Sequence, residues 1–179
     1  MSESVPLPYT RDCFACGDQN PHGLGLRPTY EDGQAVARFT PPAEMCGYRG
    51  IVHGGILSTV LDEVMGWAPA YERRRMCMAA EITVRFVKPV PVGTPLVVTG
   101  KLAEDKRRLW ICEGEIRDEA GTVYAKARGT YIVLSVEEGA RIEAEILVYP
   151  PGVPRLFGSS GISGAGFGSG LPPRRGEGP

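Results

Sequence analysis

The sequence predicts an α+β domain in which a curved antiparallel β-sheet wraps around one central α-helix. One segment repeats apolar residues at three- and four-residue spacing, which is the period of an α-helix. The segments before and after it alternate apolar and polar residues, which is typical of strands with one buried face. The helical segment is apolar over more than one stripe, so the sheet must surround it rather than cover one side.

The first part of the chain leads into this helix. Residues 1–28 are turn-rich and irregular, and residues 34–39 alternate as a short strand that the following prolines end. A pair of glycines opens the apolar repeat and Pro69 closes it. The pattern therefore predicts a helix over residues 54–69, largely buried.

The second part of the chain is predicted to be strands joined by short polar turns. Their alternating patterns cover residues 80–88, 96–102, 109–117 and 122–134. Short connections between successive strands favour an antiparallel sheet. Residues 136–149 add one more short element, whose type the pattern leaves open.

The chain is long enough for one domain with an appendage. It has 179 residues, of which the last thirty contain 9 Gly, 6 Pro and 4 Ser. This composition cannot bury a core, because it carries too few large apolar side chains to offset the entropy of ordering. We therefore predict a domain over residues 1–149, with its core at about 13–134, and a disordered tail over residues 150–179.

The net charge, the apolar pattern and the cysteine content exclude several classes of protein. The net charge is −1, which argues against a nucleic-acid binder, since those usually carry a strongly basic face. No apolar run of 18 residues is present, and the first eleven residues lack the basic cluster and apolar stretch of a signal peptide. The five cysteines, an odd number, are expected to be free thiols. We expect a cytoplasmic protein without nucleic-acid or membrane partners.

An acidic pair interrupts the predicted helix. Residues three and four positions from Asp62 share its face, and most are small: Ser58, Thr59 and Gly66. A small-residue face lets a ligand approach closely and leaves the carboxylate partly desolvated, which raises its pKa towards that of a general base. Glu63 is expected to face solvent at the edge of the helix.

The turn before the helix contains His53, Gly54 and Gly55. Free N–H groups at a helix start can bind an oxygen that carries negative charge, although His53 could also simply cap the helix. Gly55 and Asp62 are seven residues apart, or about 10 Å along a helix. One substrate carbonyl cannot contact both from the same chain, so a shared reaction requires two chains with antiparallel helices.

Two segments resemble a known family. Residues 53–62, HGGILSTVLD, and residues 80–93, AEITVRFVKPVPVG, resemble the PaaI-like hotdog-fold acyl-CoA thioesterases of the 4-hydroxybenzoyl-CoA thioesterase superfamily. The resemblance covers about residues 13–134, including the opening CFACGDQNPHGL. It implies a hotdog fold and hydrolysis of an acyl-CoA thioester without a cofactor. It also implies a homodimer with two composite sites, or a dimer of dimers.

The family pattern assigns roles to residues of this chain. A backbone N–H of Gly54 or Gly55 would polarise the thioester carbonyl, and Asp62 of the other chain would activate water or attack directly. We group His53 with these catalytic candidates. Family members that have been well studied also carry a side-chain amide before the glycine turn, which residues 45–50 lack.

A second departure concerns the strand after the helix. Some members begin it with a Ser or Thr, and the matching position here is Ala79 or Ala80. Loss of one oxyanion donor can cost about 100- to 1000-fold in rate. The alternative therefore stays open that the protein binds acyl-CoA with little or no turnover. A hotdog dehydratase that uses His53 is a third option.

Four cations are candidates for binding the phosphates of coenzyme A, because phosphates pair with cations. They are Arg85, Lys88, Arg107 and Arg108. Ordinary solvated charges on strands and turns would give the same pattern, so both interpretations stay open for each residue.

A lone CxxC motif raises the question of a metal. Cys13 and Cys16 could bind zinc together with His22 and Cys46. A second CxxC is absent, however, and the spacing fits no common zinc module. We therefore predict a turn with packed thiols, no metal site and no cofactor.

Overall fold

The computed structural model describes residues 4–157 and contains eleven strands and two α-helices. The strands are β1 (Val5–Pro6), β2 (Tyr9–Thr10), β3 (Thr29–Glu31), β4 (Gln34–Phe39), β5 (Cys46–Tyr48), β6 (Ile51–Val52), β7 (Cys77–Phe86), β8 (Leu96–Asp105), β9 (Leu109–Asp118), β10 (Val123–Val133) and β11 (Leu147–Val148). The helices are α1 (Gly54–Arg73) and α2 (Val136–Ile146). The short strand and the four long strands that the alternating patterns predict are all present.

One antiparallel sheet surrounds helix α1. Its seven strands run in the order β1-β3-β4-β8-β9-β10-β7. Helix α1 contacts β4, β7, β8, β9 and β10. Its buried apolar side chains pack against these strands. The predicted fold, a curved antiparallel sheet around a central helix, is confirmed.

Two glycines allow the helix to lie close against the sheet. Gly100 of β8 and Gly114 of β9 are cross-strand partners. A Cβ on Gly100 would lie 2.5 Å from the backbone carbonyl of Val64. A Cβ on Gly114 would lie 3.0 Å from side-chain atoms of Leu61 and Met65. No side chain fits between helix and sheet at Gly100, so this close approach fixes the position of the middle of α1.

The predicted end of the helix is wrong. Helix α1 passes through Pro69 and ends at Arg73. Proline at this position removes one intrahelical hydrogen bond, and the burial of Ala68 and Ala70 on either side holds the turn in place. The helix stops at Arg74, which is left-handed with φ 52° and donates its N–H to the Ala70 carbonyl.

The last described residues fold back onto the domain. Helix α2 begins with a capping box formed by Ser135 and Glu138, and β11 pairs with β2 near the start of the chain. Leu156 and Phe157, which we assign to the tail by composition, are buried, and their N–H groups donate to the buried Glu143 carboxylate. The rest of the predicted tail, residues 158–179, lies outside the described residues.

Strand β7 forms one edge of the large sheet. It pairs with β10 on one side, and within residues 4–157 no strand pairs with its other side. Most of its side chains are exposed, including Met78 and Phe86. A ten-residue edge with unpaired N–H and C=O groups is a surface for pairing with another strand.

Neither described helix is long and apolar enough to cross a membrane. The cytoplasmic location stays a prediction.

Candidate active site

A cavity of about 310 Å³ opens beside Asp62, on the side of α1 that faces the start of β7. Its apolar wall is formed by α1, by the residue before β7 and by the first part of β7. The α1 residues are Gly66, Trp67 and Ala70, the residue before β7 is Met76, and the β7 residues are Met78 and Ala79. Its polar groups are Asp62 and Glu63 from α1, the two cysteines of the N-terminal loop, Thr10 and Tyr131. The cavity therefore combines an apolar wall with a carboxylate, as a site for an apolar acyl group requires.

Tyr131 of β10 holds the Asp62 side chain in place. Its hydroxyl donates to Asp62 Oδ1 at 2.9 Å and lies 3.3 Å from the Asp62 carbonyl oxygen. Burial raises the pKa of Asp62, and the Tyr131 hydrogen bond opposes that rise. Among residues 4–157 no group donates to Oδ2, so this oxygen is available to a water molecule or a substrate.

Sequence reasoning missed Tyr131. The signal lies in the alternation of β10, whose helix-facing row is Ala125, Ala127, Gly129 and Tyr131. Three small residues followed by a buried tyrosine indicate that this hydroxyl must find a partner on the helix. The identity of the partner depends on the register of β10 against α1, which the sequence does not reveal.

The turn at the start of α1 contains two candidate N–H donors, and one of them has no hydrogen-bond acceptor within the described residues. His53 is the N-cap, and its Nδ1 accepts the N–H of Gly55 at 2.9 Å. The N–H of Gly54 has no acceptor within residues 4–157. The Phe86 ring lies over Gly54, where an added Cβ would be 3.1 Å from Phe86 Cζ. Of the two alternatives for His53, the geometry matches a helix cap.

The two parts of the candidate site are well separated within one chain. Gly54 is the first residue of α1 and Asp62 lies eight residues further, or about 12 Å along the helix. A thioester carbonyl is too small to contact both groups.

The prediction that Glu63 faces solvent is wrong. The N-terminal loop covers this side of α1, and Glu63 is half-buried beneath it. Trp67 Nε1 donates to one carboxylate oxygen at 2.8 Å, and Cys13 Sγ lies 3.9 Å from the other. Burial raises the pKa of Glu63 to about 7. The irregular loop has no periodicity, so the sequence gives no sign of where it packs.

The two cysteines of the loop are neighbours in the structure, but the other two candidate ligands are not near them. Cys13 is half-buried and Cys16 is buried, whereas His22 and Cys46 are exposed and lie elsewhere. Hydrogen bonds from the Cys16 thiol and from backbone N–H groups lower the pKa of Cys13, and burial opposes them.

The four candidate phosphate-binding cations form two pairs at opposite ends of the sheet. Arg107 and Arg108 lie in the turn between β8 and β9, near the start of β7 and Asp62, because the Arg108 carbonyl accepts the N–H of Val133. Arg85 and Lys88 lie at the far end of β7. All four cations are exposed, and none forms an ion pair within the part of the chain that the structure describes.

Comparison with known proteins identifies the domain. Residues 49–125 match the Thioesterase superfamily. Acyl-coenzyme A thioesterase THEM5 of Homo sapiens is 30% identical over 132 residues, which are 73% of this chain and 52% of that protein. The crystal structure of RHA08564, a thioesterase superfamily protein, has a TM-score of 0.64 at 29% identity, covering 68% of this chain and 60% of that chain. The E. coli PaaI structure has a TM-score of 0.58 at 24% identity, covering 63% and 81%.

The fold and the helix-borne carboxylate thus define a hotdog domain of the thioesterase type. Its residues 49–125 match the Thioesterase superfamily, and the resemblance to hotdog-fold thioesterases that the sequence predicts is confirmed. The chain spans about half the length of the human relative that it matches.

Proposed function

We propose that the protein hydrolyses an acyl-CoA thioester at a site shared by two copies of the chain. The observation that carries this proposal is the position of the Asp62 carboxylate, which Tyr131 orients at the edge of an apolar cavity. Asp62 lies about 12 Å along α1 from Gly54, whose N–H has no acceptor among the residues described and is free to bind a substrate. The relative THEM5 is named as an acyl-coenzyme A thioesterase, which supports this class of substrate.

The proposed dimer forms through the free edge of β7. Antiparallel pairing of two β7 strands would extend the sheet across both chains and set the two α1 helices in opposite directions. The start of one β7, beside Asp62, would then lie next to the end of the other β7, beside Gly54. The exposed Met78 and Phe86 would be covered in the same step.

In the proposed reaction, the carbonyl oxygen of the thioester accepts a hydrogen bond from the N–H of Gly54 in one chain. Asp62 of the other chain takes a proton from water through Oδ2, and the water oxygen attacks the carbonyl carbon. The C–S bond then breaks, Asp62 returns its proton to the departing sulfur, and the free acid and coenzyme A leave. Direct attack by Asp62, followed by hydrolysis of the anhydride, uses the same groups.

The same dimer would bring the two pairs of cations together. Arg107 and Arg108 lie at the Asp62 end of one chain, and Arg85 and Lys88 lie at the Gly54 end of the other. Arg107, Arg108 and Lys88 would lie near one composite site, where they could pair with the phosphates of coenzyme A. Arg85 instead lines the outer face of the sheet beside Lys126 and Arg128, away from α1.

A release assay for free coenzyme A tests the activity. Thiol release should be measured over short, long and aromatic acyl-CoAs for the wild type and for Asp62→Asn. The variant keeps the shape and the Tyr131 hydrogen bond but removes the base, so kcat should fall about 100- to 10,000-fold with little change in KM. Asp32→Asn, in the exposed turn before β4, is the matched control and should keep full activity. Unchanged hydrolysis by Asp62→Asn would contradict the proposed role.

Subunit mixing tests the shared site. Gly54→Pro removes the proposed donor, and proline suits this position because it is the first helical residue and His53 before it is extended. Gly54→Ala keeps the N–H and is its control. If the site is shared, a mixture of inactive Asp62→Asn and Gly54→Pro chains should regain about a quarter of wild-type activity, because half of the dimers carry one intact site. A mixture that stays inactive despite subunit exchange would contradict a shared site.

One observation favours a second candidate function, acyl-CoA binding with little turnover. The Gly55 N–H is already bonded to His53, and Ala79 offers no hydroxyl to the cavity, so few groups remain to stabilise a tetrahedral intermediate. Tight binding of acyl-CoA without release of free thiol would support this alternative.

A further inference from the structure

The N-terminal loop and helix α1 together form a cluster of potential metal ligands that the proposed hydrolysis does not use. The Sγ atoms of Cys13 and Cys16 and a carboxylate oxygen of Glu63 all lie within 4.8 Å of one another. Two thiols and a carboxylate from segments about fifty residues apart in the chain meet at one point beside the Asp62 cavity.

The backbone of the loop is built around the Cys13 sulfur. The N–H of Ala15 lies 3.2 Å from Cys13 Sγ, and the N–H of Cys16 lies 3.5 Å from it. Gly17 closes this turn, and a Cβ there would lie 2.4 Å from the Arg11 carbonyl oxygen and 2.5 Å from the Cys13 carbonyl oxygen. Backbone donors aimed at a sulfur stabilise the thiolate, which is the form of cysteine that binds metals.

Glu63 supplies the third ligand at a suitable distance. One of its oxygens accepts from Trp67 Nε1, which fixes the carboxylate, and the other faces Cys13 Sγ at 3.9 Å. In a tetrahedral zinc site, bond lengths of about 2.3 Å to sulfur and 2.0–2.2 Å to oxygen place neighbouring ligands about 3.5–3.8 Å apart. Small side-chain rotations would bring the cluster to that spacing, and a cation would balance the charges of ligands that are otherwise costly to bury together.

We propose that Cys13, Cys16 and Glu63 bind a thiophilic divalent cation of the zinc class, with the fourth coordination position open towards the Asp62 cavity. This ligand set differs from the four residues that the sequence suggests, since Glu63 replaces the exposed His22 and Cys46. Sulfur and carboxylate ligands in a tetrahedral arrangement favour zinc over magnesium or calcium, which prefer oxygen alone.

Cobalt substitution tests the site without reference to activity. The reduced full-length chain should bind one equivalent of Co²⁺ and give the charge-transfer and visible bands of tetrahedral thiolate coordination, and added Zn²⁺ should displace it. Zinc should also raise the Tm of the wild type, because Glu63 joins the two thiols only in the folded chain and the folded chain therefore binds zinc more tightly than the unfolded chain. Cys13→Ser should weaken Co²⁺ binding at least about 100-fold and Glu63→Gln at least about 10-fold, since even outer-shell changes commonly cost that much.

Cys46→Ser is the matched control, because it removes an exposed thiol far from the cluster and should leave the bands and the affinity unchanged. A reduced wild-type chain that binds no Co²⁺ would overturn the proposal. If hydrogen peroxide then oxidised the Cys13–Cys16 pair to a disulfide with release of water, the cluster would be a redox pair instead. Loss of the bands in Cys46→Ser would overturn the ligand assignment.

Discussion

At the scale of single residues, the arrangement around Asp62 depends on one long-range hydrogen bond. Tyr131 and Asp62 are 69 positions apart, and Tyr131 is 2% exposed. The helical period predicts that Asp62 lies on a face of small residues, because that relation is local. It does not reveal Tyr131 or the loop that covers Glu63, because both contacts depend on how distant segments pack.

Tyr131→Phe should separate positioning from stability. The variant removes the hydroxyl that orients Asp62, so kcat should fall about 10-fold or more with little change in KM, and the free energy of unfolding should fall by about 1–2 kcal/mol. Tyr30→Phe is the matched control, since its hydroxyl donates to Glu72 at 2.7 Å. That variant should lose similar stability but keep its kcat. Equal effects of both variants on kcat would contradict the role of Tyr131.

At the scale of elements, helix α1 shows which features of an element a sequence pattern predicts and which it does not. Its existence, start and buried faces follow from the apolar period and the glycine pair. Its end does not, because the local preference of Pro69 for ending a helix is weaker than the burial of the residues around it. The element that the pattern leaves open after residue 135 is α2 followed by β11, and its capping box is a signal that was readable in the sequence.

Gly100→Ala tests the close contact between α1 and the sheet. The added methyl group would lie 2.5 Å from the Val64 carbonyl, so helix and sheet must separate, and the free energy of unfolding should fall by about 2–3 kcal/mol. Gly139→Ala is the control, because its methyl group would make only ordinary contacts at 3.7 Å. In helix α2 it should raise stability by about 0.5–1 kcal/mol. Chemical denaturation measures both, and a neutral Gly100→Ala would contradict the tight fit.

At the scale of the whole molecule, the boundary of the folded domain lies beyond the position that composition predicts. Composition averages over thirty residues and therefore hides two large side chains, Leu156 and Phe157, that are buried. The antiparallel sheet around one central helix follows from the sequence, because turns and alternation are local. The edge position of β7 does not, since it depends on how the whole sheet is assembled.

Two truncations test this boundary. A chain that ends at Phe157 keeps every described contact and should unfold at the same denaturant concentration as the full chain. A chain that ends at Tyr149 loses two buried apolar side chains and leaves Glu143 without the N–H donors of Leu156 and Phe157, so its stability should fall by about 3–5 kcal/mol. Equal stability of the two truncated chains would show that residues 150–157 are dispensable.

The short β2–β11 pair joins the two ends of the described chain. Thr10 and Leu147 are cross-strand partners, and the Arg11 N–H donates to the Ile146 carbonyl at 3.3 Å. The loop with Cys13 and Cys16 begins immediately after this pair. We therefore expect the loop to move away from α1 together with the detachment of α2 and β11 from the domain. The two ends should therefore open as one cooperative unit, and their amide groups should show matching protection from hydrogen exchange. The N-terminal loop then stays packed over Glu63 only for as long as helix α2 stays packed against the domain.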